Sequence, residues 1–184
     1  MAHKIRTILL AMATALPSSA LADWTGGYAG LALGTSLNSE ISAEIDDIDV
    51  TLDVDNTTVA GLFGGYQVQN GEFVFGGEFA LSQASEVTGD GDLNTDIDIL
   101  DLKGRAGFAM DNIMFYGTAG FTRLTDDIDD DANGFSFGFG ADYDLGSNFV
   151  VGAEYLARRA TFEDDEFDVD INFDTFTVRG AFTF

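Results

Sequence analysis

The sequence has no cysteine, one proline and one histidine among its 184 residues. Without cysteine, the chain has no disulfide framework, no thiolate metal site and no cysteine nucleophile. Basic residues are also scarce, with eight Lys and Arg against 32 Asp and Glu and a formal net charge of -24. Because a surface of this charge repels nucleic acid, the sequence predicts no nucleic-acid partner.

The first 22 residues have the pattern of a cleavable secretory signal peptide. Lys4 and Arg6 form the basic segment, Ile8–Leu16 is a short apolar core, and Ala20 and Ala22 form the small-residue cleavage site. The apolar run is too short for a membrane-spanning helix, which needs ~20 residues. We therefore predict a signal peptide over residues 1–22 and a mature chain that begins at Asp23.

Removal of this segment also removes His3, the only histidine. The mature chain then lacks the residues for a Ser-His-Asp triad or a histidine-bearing zinc site. We expect a protein that is not an enzyme and has no cofactor. Six basic residues remain against 32 acidic ones, so the charge of the mature chain is -26.

Glycine and phenylalanine are abundant, with 22 Gly and 17 Phe, and 46% of the residues are hydrophobic. This composition argues against a disordered acidic chain. It suits a small barrel, in which glycine lets crowded walls approach and phenylalanine faces outward.

The last eleven residues, 174–184, alternate with a period of two, which predicts a strand. One face is apolar and ends in aromatic residues, whereas the other face carries threonines and Arg179. This strand resembles the carboxyl-terminal assembly signal of bacterial outer-membrane β-barrels, and the resemblance implies recognition by the barrel-assembly machinery. An amphipathic edge strand of a soluble sandwich is the alternative. The residues assigned to the signal are Phe176, Gly180, Phe182 and Phe184, with Gly180 one position nearer the end than in the usual pattern.

Seven further segments have strand patterns, and the connections alternate between long acidic segments and tight turns. The even strand number and the sorting of the connections are typical of a transmembrane barrel. We predict an all-β, eight-stranded antiparallel transmembrane β-barrel with an up-and-down meander as one domain over residues 23–184. A register irregularity is expected near Ile99 and Leu100, where the alternation breaks. The predicted strands are 24–37, 57–68, 72–82, 97–109, 113–124, 134–144, 149–161 and 174–184.

Four short motifs resemble those of OmpA-type and opacity-like, porin-like eight-stranded barrels. They are Trp24–Gly30, Ala60–Asn70, Phe75–Phe79 and Gly152–Tyr155. The resemblance implies a monomer in the outer membrane of a Gram-negative bacterium, in contact with its lipid.

An eight-stranded barrel is just wide enough for side chains to fill it, and buried charges must pair. The resemblance to OmpA-type barrels implies such a network, and Glu78 and Arg105 match its positions. Gln67, Tyr116, Thr118 and Ser136 are also expected to face inward. The predicted interior ion-pair network consists of Glu78, Asp101, Lys103, Arg105, Asp142, Glu154, Arg158 and Arg179.

The four acidic segments, 39–55, 86–96, 126–131 and 163–166, are predicted to be external loops, and the Ile/Val/Leu alternation in 39–55 leaves open a hairpin that extends beyond the membrane. Asp90–Asp96 begins like a calcium loop, but Thr95 replaces the required glycine. The sequence therefore does not predict an EF-hand, and loose divalent-cation binding is left open. We predict an outer-membrane protein with a structural or surface-interaction role, whose loops contact an external ligand or surface. The alternative is a small cation-favouring channel with an acidic mouth.

Overall fold

The computed structural model describes residues 23–45, 48–53, 57–86, 96–126, 131–163 and 168–184. The predicted signal peptide, with Ala20 and Ala22, lies outside these residues, as do 90–95 of the calcium-loop-like segment. None of the described residues forms a helix that is long and apolar enough to cross a membrane.

The described residues form nine strands in one sheet, and every pairing is antiparallel. Eight of the strands follow one another around the barrel, and the pairing of β1 with β9 closes it. The strand β2 pairs with the far end of β1 and lies outside the closed ring. The predicted eight-stranded up-and-down barrel is therefore confirmed. The strands are β1 Gly26–Ile45, β2 Ile48–Asp53, β3 Thr57–Asn70, β4 Phe73–Glu86, β5 Asp96–Met110, β6 Ile113–Asp126, β7 Asp131–Gly146, β8 Phe149–Glu163 and β9 Asp168–Thr183.

Tight turns at Gly71–Glu72, Asp111–Asn112 and Ser147–Asn148 lie at one end of the barrel, which we call the turn end. The longer connections lie at the opposite end, the loop end. Gly71 is the first residue of its turn and has φ 64°, a conformation that glycine adopts without strain. The predicted turn at residues 69–71 is thus displaced towards the carboxyl terminus.

The pairing register shows that the strands are strongly tilted. A row of directly paired residues that starts at Phe75 on β4 passes around the barrel and returns to β4 at Ser85, ten residues further along. A stagger of this size corresponds to a tilt of ~40°. The rows therefore climb towards the loop end in the direction of increasing strand number.

This climb brings one outward polar residue from each barrel strand to a common level. Below that level the outer wall is apolar over ~25 Å, the height of a membrane-spanning band, and its exposed side chains include many Phe and Leu. We call the eight residues the polar rim: Thr35, Thr58, Gln83, Asp98, Arg123, Asn133, Arg159 and Asp174.

The expected irregularity near Ile99 and Leu100 is wrong. The register of β5 is continuous there on both sides, with Ile99 buried and Leu100 exposed. Both residues are apolar because the barrel interior itself becomes apolar near the loop end. The register shifts occur instead between Ser36 and Asn38 and between Asp144 and Gly146.

Seven of the eight predicted strand limits at the loop end fall short of the observed ones, by one to eight residues. The first strand was expected to end at 37, whereas β1 continues to Ile45 and β2 returns beside it. Similarly, β7 begins at Asp131, β8 ends at Glu163 and β9 begins at Asp168. Acidic composition had marked these segments as loops, and the hairpin left open by the Ile/Val/Leu alternation in 39–55 is present as the pair of β1 and β2.

Candidate functional site in the barrel interior and at the polar rim

Glu78 lies at the centre of the barrel interior and is 1% exposed. Its carboxylate is 2.9 Å from Lys103 Nζ and 3.2 Å from an Arg105 guanidinium nitrogen. Arg179 donates to both oxygens of this carboxylate, and the Tyr28 hydroxyl donates at 3.1 Å. Three cations therefore share one buried carboxylate. Two of them come from β5 and the third comes from β9.

Glu154 on β8 completes the network from the opposite wall. Its carboxylate is 2.7 Å from Lys103 Nζ and 2.7 Å from Arg179, and it accepts a hydrogen bond from Tyr116 at 3.2 Å. Because Lys103 and Arg179 each bridge Glu78 and Glu154, the network ties strands from across the barrel together.

Aromatic rings cover the two guanidinium groups. Arg105 binds the carboxylate of Asp142 and lies 3.8 Å from the centroid of the Tyr116 ring. Arg179 lies 3.9 Å from the centroid of the Phe63 ring. Such stacking stabilises a desolvated cation. Each guanidinium therefore contacts an aromatic ring as well as the carboxylates that accept its hydrogen bonds.

Asp101 and Arg158 form a separate pair nearer the loop end. Two nitrogens of the Arg158 guanidinium donate hydrogen bonds to the Asp101 carboxylate, the shortest at 2.7 Å. The third nitrogen donates to Thr175 Oγ1 at 3.0 Å. With this pair, the described interior holds four carboxylates and four cations. It therefore carries no formal net charge, although the whole chain is strongly acidic.

Inward-facing glycines make room for the tyrosine rings. A Cβ atom at Gly65 would meet the Tyr28 ring, and one at Gly140 would meet the Tyr116 ring and lie 2.6 Å from the Ala153 carbonyl oxygen. The rings can therefore lie flat against the wall and place their hydroxyls on Glu78 and Glu154. Sequence reasoning missed these two Tyr–Gly pairs, although each glycine lies directly opposite an inward tyrosine on the neighbouring strand.

Apolar residues fill the interior on both sides of the charged layer. Sequence reasoning missed both apolar layers because it considered only which residues alternate, not how deep each lies. Between the charged layer and the turn-end layer is a cavity of about 20 Å³, which is room for one or two water molecules. The loop-end layer consists of Val59, Ala84, Ile99, Leu124, Ala132, Ala160 and Phe173, and the turn-end layer of Trp24, Val74, Ala109, Met114, Tyr116 and Val150.

The structure brings together the sequence-predicted interior residues. All eight charged residues are buried and paired, six in the central network and two as the Asp101–Arg158 pair. The four polar residues expected inside are also buried: Gln67, Tyr116, Thr118 and Ser136.

The residues matched to the assembly signal lie on the outer face of β9. Phe176, Phe182 and Phe184 are exposed there, and a Cβ atom at Gly180 would have nothing within 4 Å. Phe182 packs edge-on against Phe149, with ring centroids 5.3 Å apart. Recognition by the assembly machinery stays a prediction.

A second charge cluster lies on the outer wall and was not predicted. At the polar rim, Arg159 binds Asp174, which also accepts a hydrogen bond from the Tyr155 hydroxyl at 2.7 Å. Arg159 lies 5.8 Å from the centroid of the Phe137 ring, and its side chain remains 42% exposed. The cation is thus held at the upper edge of the apolar band.

Among the described residues, no group of three or more His, Cys, Asp or Glu side chains is placed to hold a metal ion. Much of the acidic sequence, including 87–95 and 127–130, lies outside the described residues. Divalent-cation binding by these segments stays a prediction.

Residues 7–184 match the model of the outer membrane protein beta-barrel domain. The chain belongs to this family. A 22 kDa outer membrane protein of Rhizobium leguminosarum bv. viciae is 26% identical over 117 residues, which cover 59% of this chain and 54% of that protein. The chain thus matches about half the length of this relative. The predicted location in the bacterial outer membrane is confirmed.

One solved structure shows the same fold at low sequence identity. Neisserial surface protein A superposes with a TM-score of 0.53 at 13% identity, covering 87% of this chain and 98% of that one. The outer membrane protease OmpT from Escherichia coli gives a TM-score of 0.49 at 10% identity, covering 86% of this chain and 97% of that one.

Proposed function

We propose that this outer-membrane barrel is a closed, non-conducting scaffold that presents an acidic sheet outside the cell to a cationic ligand or surface. The observation that carries the proposal is the neutral, ion-paired interior with an apolar layer on each side. An ion crossing the barrel would have to displace both layers and break buried pairs, each of which is costly.

The loop end supplies the surface for such a contact. In this architecture the short turns face the periplasm and the longer connections face outward. β1 continues for eight residues beyond its register shift, which carries the strand ~20 Å above the polar rim. There β8, β9, β1 and β2 pair side by side, and within the described strands β2 pairs on one side only.

The charge of this extension favours a cationic partner. Glu40 pairs with Asp53, and Glu44 pairs with Asp49, so acidic residues face each other across the hairpin register. Among the described residues, the barrel interior holds four acidic side chains, out of 32 in the sequence. A second copy of this chain would be repelled, consistent with a monomer, whereas a basic ligand would be attracted.

A cation-favouring channel is the competing function, and single-channel recording separates the two. Residues 23–184, refolded in detergent and inserted into a planar bilayer, are expected to give no discrete current steps. Heat-dependent gel mobility of the same sample confirms that the barrel is folded. Discrete cation-selective current steps from a folded sample would contradict the closed-scaffold proposal.

Binding of a basic peptide tests the surface role. A fluorescent oligo-lysine peptide is expected to bind the refolded barrel in neutral phosphatidylcholine nanodiscs, and added salt should weaken the binding. Asp49→Asn with Asp53→Asn should reduce affinity several-fold, whereas Asp111→Asn at the opposite end should leave it unchanged. Equal loss from both changes would mean that net charge, and not the extended sheet, governs binding. Residues 23–184 contain no histidine or cysteine, so the proposal includes no catalysis that depends on either residue.

A further inference from the structure

Cations are almost absent from the outer wall of this barrel. Of the six basic residues that follow the predicted signal peptide, four are buried inside. The other two, Arg123 on β6 and Arg159 on β8, are exposed and belong to the polar rim. Arg123 pairs with Asn133 and Arg159 pairs with Phe135, both on the intervening strand β7. Strand spacings put the two Cα atoms ~12 Å apart.

Below these two arginines the apolar wall has a depression. A groove of about 770 Å³ runs over β5 and β6, within the size range of ligand-binding clefts. It is lined mainly by apolar atoms. Its floor consists of Gly104, Ala106, Gly117 and Ala119, and its walls include Phe75, Phe137, Phe139 and Tyr155.

The glycines in the floor are not required by packing of the wall. A Cβ atom at Gly104 would lie 3.7 Å from its nearest neighbour and one at Gly117 would lie 3.9 Å away, which are ordinary contacts. Interior glycines such as Gly140 differ, because a Cβ there would overlap a ring. The small floor residues therefore leave a hollow in a surface that elsewhere carries protruding rings.

The register places the hollow and the arginines in one column. The row that contains Gly104 and Ala119 is followed by the row with Phe121 and Arg159, and then by the row with Arg123. The floor thus lies ~10–15 Å below the rim, measured along the membrane normal. That distance suits an acyl chain whose headgroup is at the rim.

We propose that this strip binds one anionic phospholipid-type molecule of the outer leaflet. Its phosphate ester lies between Arg123 and Arg159, and one of its acyl chains lies in the groove. A guanidinium is suited to phosphate because its planar fork donates two parallel hydrogen bonds. Arg159 is only partly satisfied by Asp174, since its side chain is 42% exposed. The apolar band keeps the groove at acyl-chain depth, so a lipid, rather than a soluble phosphate, is the occupant.

Native mass spectrometry of the folded barrel in non-ionic detergent tests the headgroup contact. Dimyristoyl phosphatidic acid is the probe, and phosphatidylcholine with the same chains is the charge control. One phosphatidic acid is expected to bind, about tenfold more tightly than phosphatidylcholine. Arg123→Gln with Arg159→Gln should abolish this preference, whereas the Lys double variant should keep most of it. Glu72→Gln, which removes a charge at the turn end, should leave it unchanged.

Two further variants sharpen the test. Asp174→Asn frees Arg159 from its internal partner and should tighten phosphatidic acid binding several-fold. Gly104→Leu with Ala119→Leu fills the groove and should weaken binding about tenfold. Gly180→Leu is the matched control, because this glycine also faces outward into open space but lies on β9. Heat-dependent gel mobility confirms folding of each variant.

Three results would overturn the proposal. The first is equal affinity for the anionic and zwitterionic lipids. The second is unchanged preference when both arginines are replaced by Gln, or unchanged binding when the groove is filled. The third is a dimer of the barrel that occupies the groove in place of lipid.

Discussion

The inner and outer walls of this barrel come from alternate residues of the same strands, yet they use charge and glycine in opposite ways. Inside, four carboxylates meet four cations and every pair is buried. Outside, the pair of Arg159 with Asp174 lies at the edge of the apolar band. Inward glycines such as Gly140 make room for rings, whereas a Cβ atom at outward Gly104 would make only an ordinary contact. The same residue types therefore hold the fold together inside and shape a surface outside.

The largest expected effect comes from removing the carboxylate that three interior cations share. Glu78→Ala leaves Lys103, Arg105 and Arg179 facing one another in a dry interior, and we expect a loss of ~3–5 kcal/mol in the free energy of unfolding. Guanidinium unfolding in lipid vesicles, followed by Trp24 fluorescence, measures it. Gln83→Ala on the polar rim of the same strand is the control and should change little. A loss below ~1 kcal/mol would show that the network is not stabilising the barrel.

The same substitution on either wall compares the two environments directly. Asp101→Asn removes charge beside buried Arg158, and we expect a cost of ~3 kcal/mol. Asp174→Asn does the same beside half-exposed Arg159, where solvent and headgroups screen the pair, and we expect ~0.5 kcal/mol. Equilibrium unfolding of both variants measures the difference. Equal costs would contradict the distinction between the walls.

Glycine replacements give the smallest contrast. Gly140→Ala puts a methyl group against the Tyr116 ring and should destabilise by ~1–3 kcal/mol. Gly104→Ala adds a methyl group that makes only an ordinary contact and should stay within ~0.5 kcal/mol of the parent protein. Thermal unfolding monitored by gel mobility measures both. The comparison fails should Gly104→Ala prove the more damaging change.

The sequence predicted the barrel because its information is local and periodic. The alternation in 174–184 and in the β7 region decides which residues face lipid, and the same parity identified all eight interior charges. Local periodicity could not predict which interior charges pair with one another. Glu78 and Arg179, for example, are 101 residues apart and meet only because of the stagger of the closed barrel. The sequence also does not show how deep along the barrel axis a residue lies. Ile99 and Phe173 belong to one apolar layer, which only the pairing register reveals.

Outward features were the hardest to predict. Arg159 and Asp174 were assigned from the sequence to a strand end and a strand start, and their contact depends on neighbouring strands in register. The groove needs five strands to be aligned before its small residues become adjacent. Acidic composition marked 39–45 as part of a loop. Acidic residues alternate with apolar ones there, and the chain continues as strand.

The absence of cysteine allows the closed interior to be tested with one introduced thiol. Thr118→Cys places the thiol in the middle of the barrel, where the native side chain is 6% exposed, and Thr58→Cys places it on the polar rim. A small cationic methanethiosulfonate reagent, applied from both sides of a vesicle membrane, is expected to label Thr58→Cys rapidly and to leave Thr118→Cys unmodified in the folded barrel. Labelling of Thr118→Cys at a rate comparable to that of Thr58→Cys would mean that water and ions reach the interior, and would contradict the closed scaffold.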